Sequence, residues 1–214
     1  MTIGRHGRIP LAPEGLPFII PFACLAVVSA LLGWWVVAVA MGLAEICMVA
    51  FFRDPERVIP ALPGAVVSPA DGRVMGVVEE DGQWRISIFL SVFNVHVNRA
   101  PVGGKVSAVT YTPGQFRAAY RQEASSVNEA NSLTLEHHPY RIVVKQIAGL
   151  IARRIVCRVQ VGAVLEKGQR YGLIRFGSRT DLVLPREAEV RIRVGDRVRG
   201  GETVLAILKE SDDI

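Results

Sequence analysis

From Leu16 to Phe52 the chain reads LPFIIPFACLAVVSALLGWWVVAVAMGLAEICMVAFF, with a single formal charge, Glu45. Charge this sparse over such a length is the mark of a segment surrounded by lipid, not of a soluble core helix. A secretory leader would be shorter and end at a small-residue cleavage site. This run instead passes straight into FFRDPER (51–57), so it is expected to be retained. Its thirty-seven residues are long for one span and short for two, since each takes about 20 residues. Pro21 and the Gly33-Trp34-Trp35 cluster divide it, which predicts two tilted helices joined at Gly33. Such a pair either spans the bilayer or lies partly in its interface, where Trp is favoured. Arg5 and Arg8 precede the run, Arg53 and Arg57 follow it, and no basic residue stands at its tip. That asymmetry places both ends on the cytoplasmic face of the cell membrane. The chain then divides into a tail (1–15), a membrane-associated helical hairpin (16–52) and a second domain (53–214).

Beyond Arg57 the texture changes to short β-type runs punctuated by Gly, Pro and Asp-Gly. GRVMGVVEE and QWRISIFL flank Asp81-Gly82, a strong hairpin signal. Runs of this length predict a mainly β barrel or sandwich. The stretch RAAYRQEASSVNEANSLTLEHHPY (117–140) is polar and partly helix-competent and reads as a surface excursion or lid, with strands resuming at Arg141. VVSPADGRVMGV, VNRAPVGGKVSAV and VRIRVGDRVRGGETVLAIL echo one another as strand, Gly-containing turn and strand. The last is similar to the corner of lipoyl and biotinyl carriers, so the expected architecture is a barrel-sandwich built from duplicated, hybrid-motif-like units. Architecture of that kind does not fix function.

A net charge of +5 is modest and requires no nucleic-acid partner, while basic residues near a bilayer suit anionic lipid headgroups. Cys24, Cys47 and Cys157 show neither disulfide nor metal-ligand spacing and read as small packing residues in a reducing compartment.

Three short stretches carry polar residues that a β-barrel does not need: SPADG with Asp71, NVHVNRAP with His96, and FGS with Ser178. Carboxylate, imidazole and hydroxyl together can activate a serine oxygen, the imidazole taking the proton and the carboxylate fixing its tautomer. Each also has a plainer reading. Asp71-Gly72 and Gly177-Ser178 make good turns, and His96 in alternating VFNVHVN could be a half-buried, hydrogen-bonded histidine. His137-His138 in the polar stretch could simply be solvated, and Arg53 and Arg57 read as basic flanks paired with Asp54 and Glu56 rather than as phosphate ligands.

Taken together, the apolar N-terminal hairpin, FFRDPER, SPADGRV, NVHVNRAP and the late Gly-Ser resemble the short form of the phosphatidylserine decarboxylase proenzymes, from about Pro17 to Leu208. Longer family members carry Leu-Gly-Ser-Thr where this chain has Phe176-Gly177-Ser178-Arg179, so roles of that Thr do not transfer. The resemblance implies autocatalytic serinolysis. Ser178 attacks the Gly177 carbonyl, the amide becomes an ester, and β-elimination leaves a large chain (1–177) and a small chain (178–214) that pair as a heterodimer. Ser178 becomes a covalent pyruvoyl group, with no metal. That group would form a Schiff base with phosphatidylserine, accept the electrons released with carbon dioxide, and yield phosphatidylethanolamine.

By the same resemblance His96 is the base and Asp71 its orienting partner. Phe93 and Phe176 are candidate apolar walls for the substrate pocket. A further histidine that long forms place three residues before the triad histidine corresponds here to Phe93, which nominates His137 or His138 for its role. Two other classes compete. A membrane-anchored barrel-sandwich carrier or binding module would keep Gly177-Ser178 as an uncleaved turn, but a carrier needs a lysine at its hairpin tip and RFGSRTD has none. A serine hydrolase would carry a G-x-S-x-G elbow, which is absent.

Overall fold

The computed structural model describes residues 10–121, 123–150, 154–175 and 177–209. The chain divides into two compact units after Glu56.

In the first unit, α1 (Leu16–Leu31) and α2 (Trp35–Phe51) form the expected hairpin, with Gly33 at φ +76° in the turn between them. Glycine adopts this left-handed conformation at little cost. Pro21 does not divide the run, because it lies inside a continuous α1. It sits in the second turn, where the N–H it lacks forfeits one hydrogen bond near a helix start. The stretch Pro13–Leu31, comprising a 3-10 turn and α1, is long and apolar enough to cross a membrane; α2 is shorter. Phe18 stacks on Phe52 at 5.6 Å, and Ala12 N–H donates to the Phe52 carbonyl at 2.8 Å, which ties the two ends of this unit together.

The second unit is mainly β, as expected. Its strands are β1 (Ala65–Val67), β2 (Gly72–Glu80), β3 (Gln83–Leu90), β4 (Val97–Arg99), β5 (Gly104–Thr112), β6 (Ala130–His137) and β7 (Tyr140–Ile147). They continue with β8 (Ile155–Cys157), β9 (Val164–Leu165), β10 (Arg170–Ile174), β11 (Ser178–Pro185), β12 (Glu189–Val190), β13 (Arg197–Val198) and β14 (Val204–Ile207). Eight of them make one curled half-barrel sheet in the order β13-β2-β3-β11-β7-β6-β5-β9. Two three-stranded sheets, β1-β14-β12 and β4-β10-β8, complete it.

Pairing explains the repeated texture. β1 pairs with β14 and β2 with β13, while β4 pairs with β10 and β5 with β9. Each half is therefore a strand-turn-strand unit clasped by a second one. The sequence echoes supplied three of the four units; the fourth is VGAVLEKGQRYGLI (161–174). Its Gly162 and Gly168, at φ +93° and +79°, match Gly195 and Gly201, at +99° and +81°, in spacing and conformation. Matching β-bulges interrupt β2 between Val74 and Gly76 and β5 between Val106 and Ala108, and each bends the sheet.

The stretch 117–140 is only partly an excursion. The described residues of 113–129 are irregular except for the single helical turn α3 (Ala124–Val127) and a bridge between Gln115 and Asn128, but 130–137 is strand β6, fully paired with β7. Its alternation Leu133, Leu135 points into the core, masked in the sequence by Asn131, Ser132, Thr134 and Glu136 between.

Every second residue of the central strands enters that core: Ile86, Ile88 and Leu90 on β3, Leu182 and Leu184 on β11, Ile142 and Val144 on β7. Continuing along the same face of β11 toward its start brings Thr180 and then Ser178, both fully buried. The core therefore turns polar at one end, and that end is the Gly177-Ser178 peptide.

Candidate active site

Three strands converge on Gly177-Ser178. Ser178 opens β11 opposite Leu90 of β3, and Arg179 lies between Phe89 of β3 and Ile147 of β7. β10, which leads into the dipeptide, pairs with β4, directly after His96. Sequence separation between His96 and Ser178 is thus erased by one antiparallel pairing.

His96 is buried, and both ring nitrogens have partners. Nδ1 lies 2.9 Å from the Asn94 carbonyl, which fixes the tautomer with Nδ1 protonated. Nε2 therefore keeps its lone pair and accepts the Gly177 N–H at 3.2 Å. Gly177 itself stands at φ +72°, a conformation other residues adopt only with strain. The Ser178 hydroxyl is buried with no hydrogen-bond partner among the described residues. An unpaired buried hydroxyl costs about 1–3 kcal/mol, and such groups call for a functional account. A buried hydroxyl, a peptide whose glycine takes a left-handed φ and an imidazole ring are therefore assembled.

Asp71 is not on the imidazole. Its carboxylate receives the Arg57 guanidinium at 3.1 and 2.9 Å and the Gly200 N–H at 2.7 Å. Arg57 also reaches Glu202 at 3.3 Å. The expected flank pairing of Arg57 with Asp54 or Glu56 is corrected accordingly: its side chain is only 8 % exposed and belongs to the second unit. The expectation that Asp71 orients His96 meets the same geometry. The backbone carbonyl of Asn94 does that work, while Asp71 holds the SPADG turn to the β13–β14 corner.

The remaining nominated residues scatter. Phe93 is 83 % exposed at the rim of the site and is not an enclosing wall. Phe176 lies outside the described residues. His137 and His138 stand at the far end of the β6–β7 hairpin, with His137 Nδ1 against the Gly103 carbonyl at 2.7 Å. His137 is seven residue steps along the strand from Ala130, at the hairpin end level with Arg179, which at about 3.3 Å per step is roughly 23 Å. Neither histidine is brought to Ser178. Among the described residues no cluster of His, Cys, Asp and Glu could hold a metal ion.

Behind Ser178 the polar end of the core is braced. Asn98 Nδ2 donates to Thr180 Oγ1 at 3.4 Å and Gln146 Nε2 to Asn98 Oδ1 at 2.9 Å, with Asn131 reaching Gln146 at 3.1 Å. Next to it, Arg179 and Asp181 form a buried ion pair at 2.6 Å. Asp181 also accepts from Ser125 at 2.7 Å, and Arg179 donates to Ser87 at 2.8 Å and to the Arg121 carbonyl at 3.4 Å. These contacts dock the 113–129 segment beside the dipeptide.

A sequence comparison now decides the family. The family model for phosphatidylserine decarboxylase matches residues 44–206. The chain belongs to the phosphatidylserine decarboxylase family. Curated relatives named phosphatidylserine decarboxylase proenzyme match almost end to end. The one from Geotalea uraniireducens is 47 % identical over 211 residues, covering 95 % of this chain and 99 % of its own. The one from Symbiobacterium thermophilum is 49 % identical over 208 residues (94 % and 96 %), and that from Ruegeria pomeroyi 46 % over 216 residues (94 % and 96 %).

For a member of the phosphatidylserine decarboxylase family, the sequence reasoning missed Asn94 and the Asn98-Gln146-Thr180 brace. Asn94 and Asn98 flank His96 within the quoted motif, at spacings of two that a short strand places on one face. That alternation was the available signal. Nothing in the linear sequence links Gln146 or Thr180 to them.

Proposed function

We propose that this decarboxylase converts phosphatidylserine to phosphatidylethanolamine, using a pyruvoyl group that the chain makes from its own Ser178. The observation that carries the reading is the buried, unpartnered Ser178 hydroxyl beside a left-handed Gly177 whose N–H rests on His96 Nε2.

Self-processing follows from those atoms. Ser178 Oγ attacks the Gly177 carbonyl carbon while His96 Nε2, its lone pair at this peptide, takes the hydroxyl proton. The 3.2 Å bond to the Gly177 N–H is at the long end of the range and exchanges readily for the serine O–H. Returning that proton to the Ser178 nitrogen breaks the C–N bond and leaves an ester. Loss of the Ser178 α-proton then expels Gly177 as a carboxylate. Water adds to the resulting dehydroalanine, ammonia leaves, and the small chain begins with a pyruvoyl group. The residues present fit that group: its carbonyl would arise at the start of β11, at the buried polar end of the core beside His96. When formed, it supplies an electron sink for the charge released as carbon dioxide departs. His96 Nε2, its ring oriented by the Asn94 carbonyl at Nδ1, is then placed to move a proton at the same point.

The two chains would stay together, because strands after residue 177 pair with strands before it: β11 with β3 and β7, β13 with β2, and β14 with β1. The apolar helices supply membrane attachment, and Arg5, Arg8 and Arg53 favour the cytoplasmic face. The test is to incubate purified protein with vesicles containing phosphatidylserine and follow carbon dioxide and phosphatidylethanolamine together. Both should appear in equal amounts. Absence of both from fully cleaved protein would overturn the reading.

A further inference from the structure

Gly149 follows β7 in the segment Ile147-Ala148-Gly149-Leu150, and its surroundings are unlike those of a turn glycine. Its φ is not in the left-handed region, so no backbone strain demands glycine there. What demands it is space. A Cβ at this position would lie 2.2 Å from the Gly177 carbonyl oxygen and 3.2 Å from its carbon, with the Ala119 methyl at 3.3 Å beyond. The hydrogen that replaces the side chain therefore faces the oxygen of the scissile peptide.

We propose that Gly149 is the positioning residue of the self-cleavage step: it seats the Gly177 carbonyl and leaves it room to become tetrahedral. This rests on the reading that Ser178 attacks Gly177. During attack the oxygen gains negative charge and swings out of the peptide plane. A Cα–H donor at close range favours that charge weakly, and the missing methyl permits the movement. Anchoring on both sides makes the seat firm. Ala148 N–H donates to the Glu129 carbonyl at 2.9 Å, and the Ala148 carbonyl accepts Asn128 Nδ2 at 2.8 Å. Asn128 also binds the Arg117 N–H and carbonyl, at 3.0 and 2.7 Å, so Ala119 cannot readily withdraw. Ala119, within the 117–140 stretch that the sequence read as a surface excursion or lid, thus stands behind the carbonyl seat.

A methyl at 149 needs about 3.3 Å to a carbonyl oxygen, so the Gly177 carbonyl must shift by about 1 Å. A displacement of that size typically costs about a hundredfold in rate. The experiment is a time course of self-cleavage by intact mass for Gly149→Ala, with thermal unfolding measured on the same protein. Expected is cleavage slowed about a hundredfold or more. Should Gly149→Ala fail to fold, Gly149→Ala with Ala119→Gly removes the methyl-methyl contact and keeps the clash with the carbonyl. That pair should restore folding without restoring cleavage. Gly104→Ala is the control, since its Cβ would meet the Glu136 carbonyl at 2.4 Å, away from the site. It should lower stability and leave cleavage of the folded fraction near the parent rate. Parent-rate cleavage in folded Gly149→Ala, or restored cleavage in the double variant, would overturn the proposal. An uncleaved parent chain would instead overturn the self-processing reading on which it stands.

Discussion

Replacing Asp71 by alanine tests whether this carboxylate serves the fold or the imidazole. The change strips the Arg57 guanidinium of contacts at 3.1 and 2.9 Å and leaves Glu202, at 3.3 Å, as its remaining carboxylate. It also frees the Gly200 N–H from a bond at 2.7 Å. Arg57 and Asp71 side chains are 8 % and 13 % exposed, so solvent screens the loss poorly. Breaking a buried pair by removing one partner costs about 3–5 kcal/mol. For a unit of this size each kcal/mol lowers the melting temperature by about 2–4 °C, which sets the expected fall at roughly 6–20 °C. The assay is thermal unfolding in detergent on a Ser178→Ala background, where cleavage cannot confuse the comparison. Asp71→Asn, which keeps an acceptor for Gly200, should fall less. Arg57→Met with Asp71→Leu should recover most of the loss, because an apolar pair avoids the stranded charge. A parent-like melting temperature for Asp71→Ala, combined with lost cleavage in the serine-containing chain, would refute the structural assignment and put Asp71 on the chemistry.

Two further outcomes follow from the geometry. His96→Ala should slow self-cleavage by about 10²–10⁴-fold with folding intact, as expected for loss of a positioned base; unchanged cleavage kinetics by gel would remove it from that role. Tyr171 is fully buried and its hydroxyl has no partner among the described residues; burial first, and the nearby Cys157 second, push its pKa well above 10. Folding therefore gains from keeping the phenol neutral. That gain is whole below about pH 10 and declines as the pH rises from there toward the raised folded value, because the unfolded phenol ionises first. Tyr171→Phe should match or exceed parent stability at neutral pH, by up to about 1 kcal/mol, and should flatten the alkaline decline. A clear loss on thermal unfolding at neutral pH would mean that the hydroxyl is bonded.

Much of the fold was legible because its signals are local. A charge-poor run with a Gly-Trp-Trp break has few solutions, and α1, α2 and the turn at Gly33 are among them. Asp81-Gly82 joined the two strands it appeared to join. Where the sequence misled, a local rule met a tertiary fact. Pro21 falls early enough in α1 to be tolerated. β6 looked polar because its outward residues are polar, although Leu133 and Leu135 carry the strand. The fourth repeat unit was hidden by its side chains and is visible only in the glycine spacing it shares with the last one.

The site divides in the same way. Gly177, Ser178 and His96 come from short motifs, and the structure gathers them. Arg57 was read as a flank because it stands near an apolar run, yet its partners lie 14 and 145 residues away. Gly149 carries no side chain to signal its contact with Gly177, so only coordinates reveal it. The resemblance nominates His137 or His138 for the further histidine of the long forms, but the hairpin that bears them turns at the end away from Arg179.

Intact mass under denaturing conditions decides whether the peptide between Gly177 and Ser178 breaks by the action of Ser178. Two chains are expected, 1–177 ending in a free carboxylate and 178–214 blocked by a pyruvoyl group, with Ser178→Ala remaining whole. A single full-length chain from folded protein, or a Ser178→Ala variant that cleaves as the parent does, would contradict it.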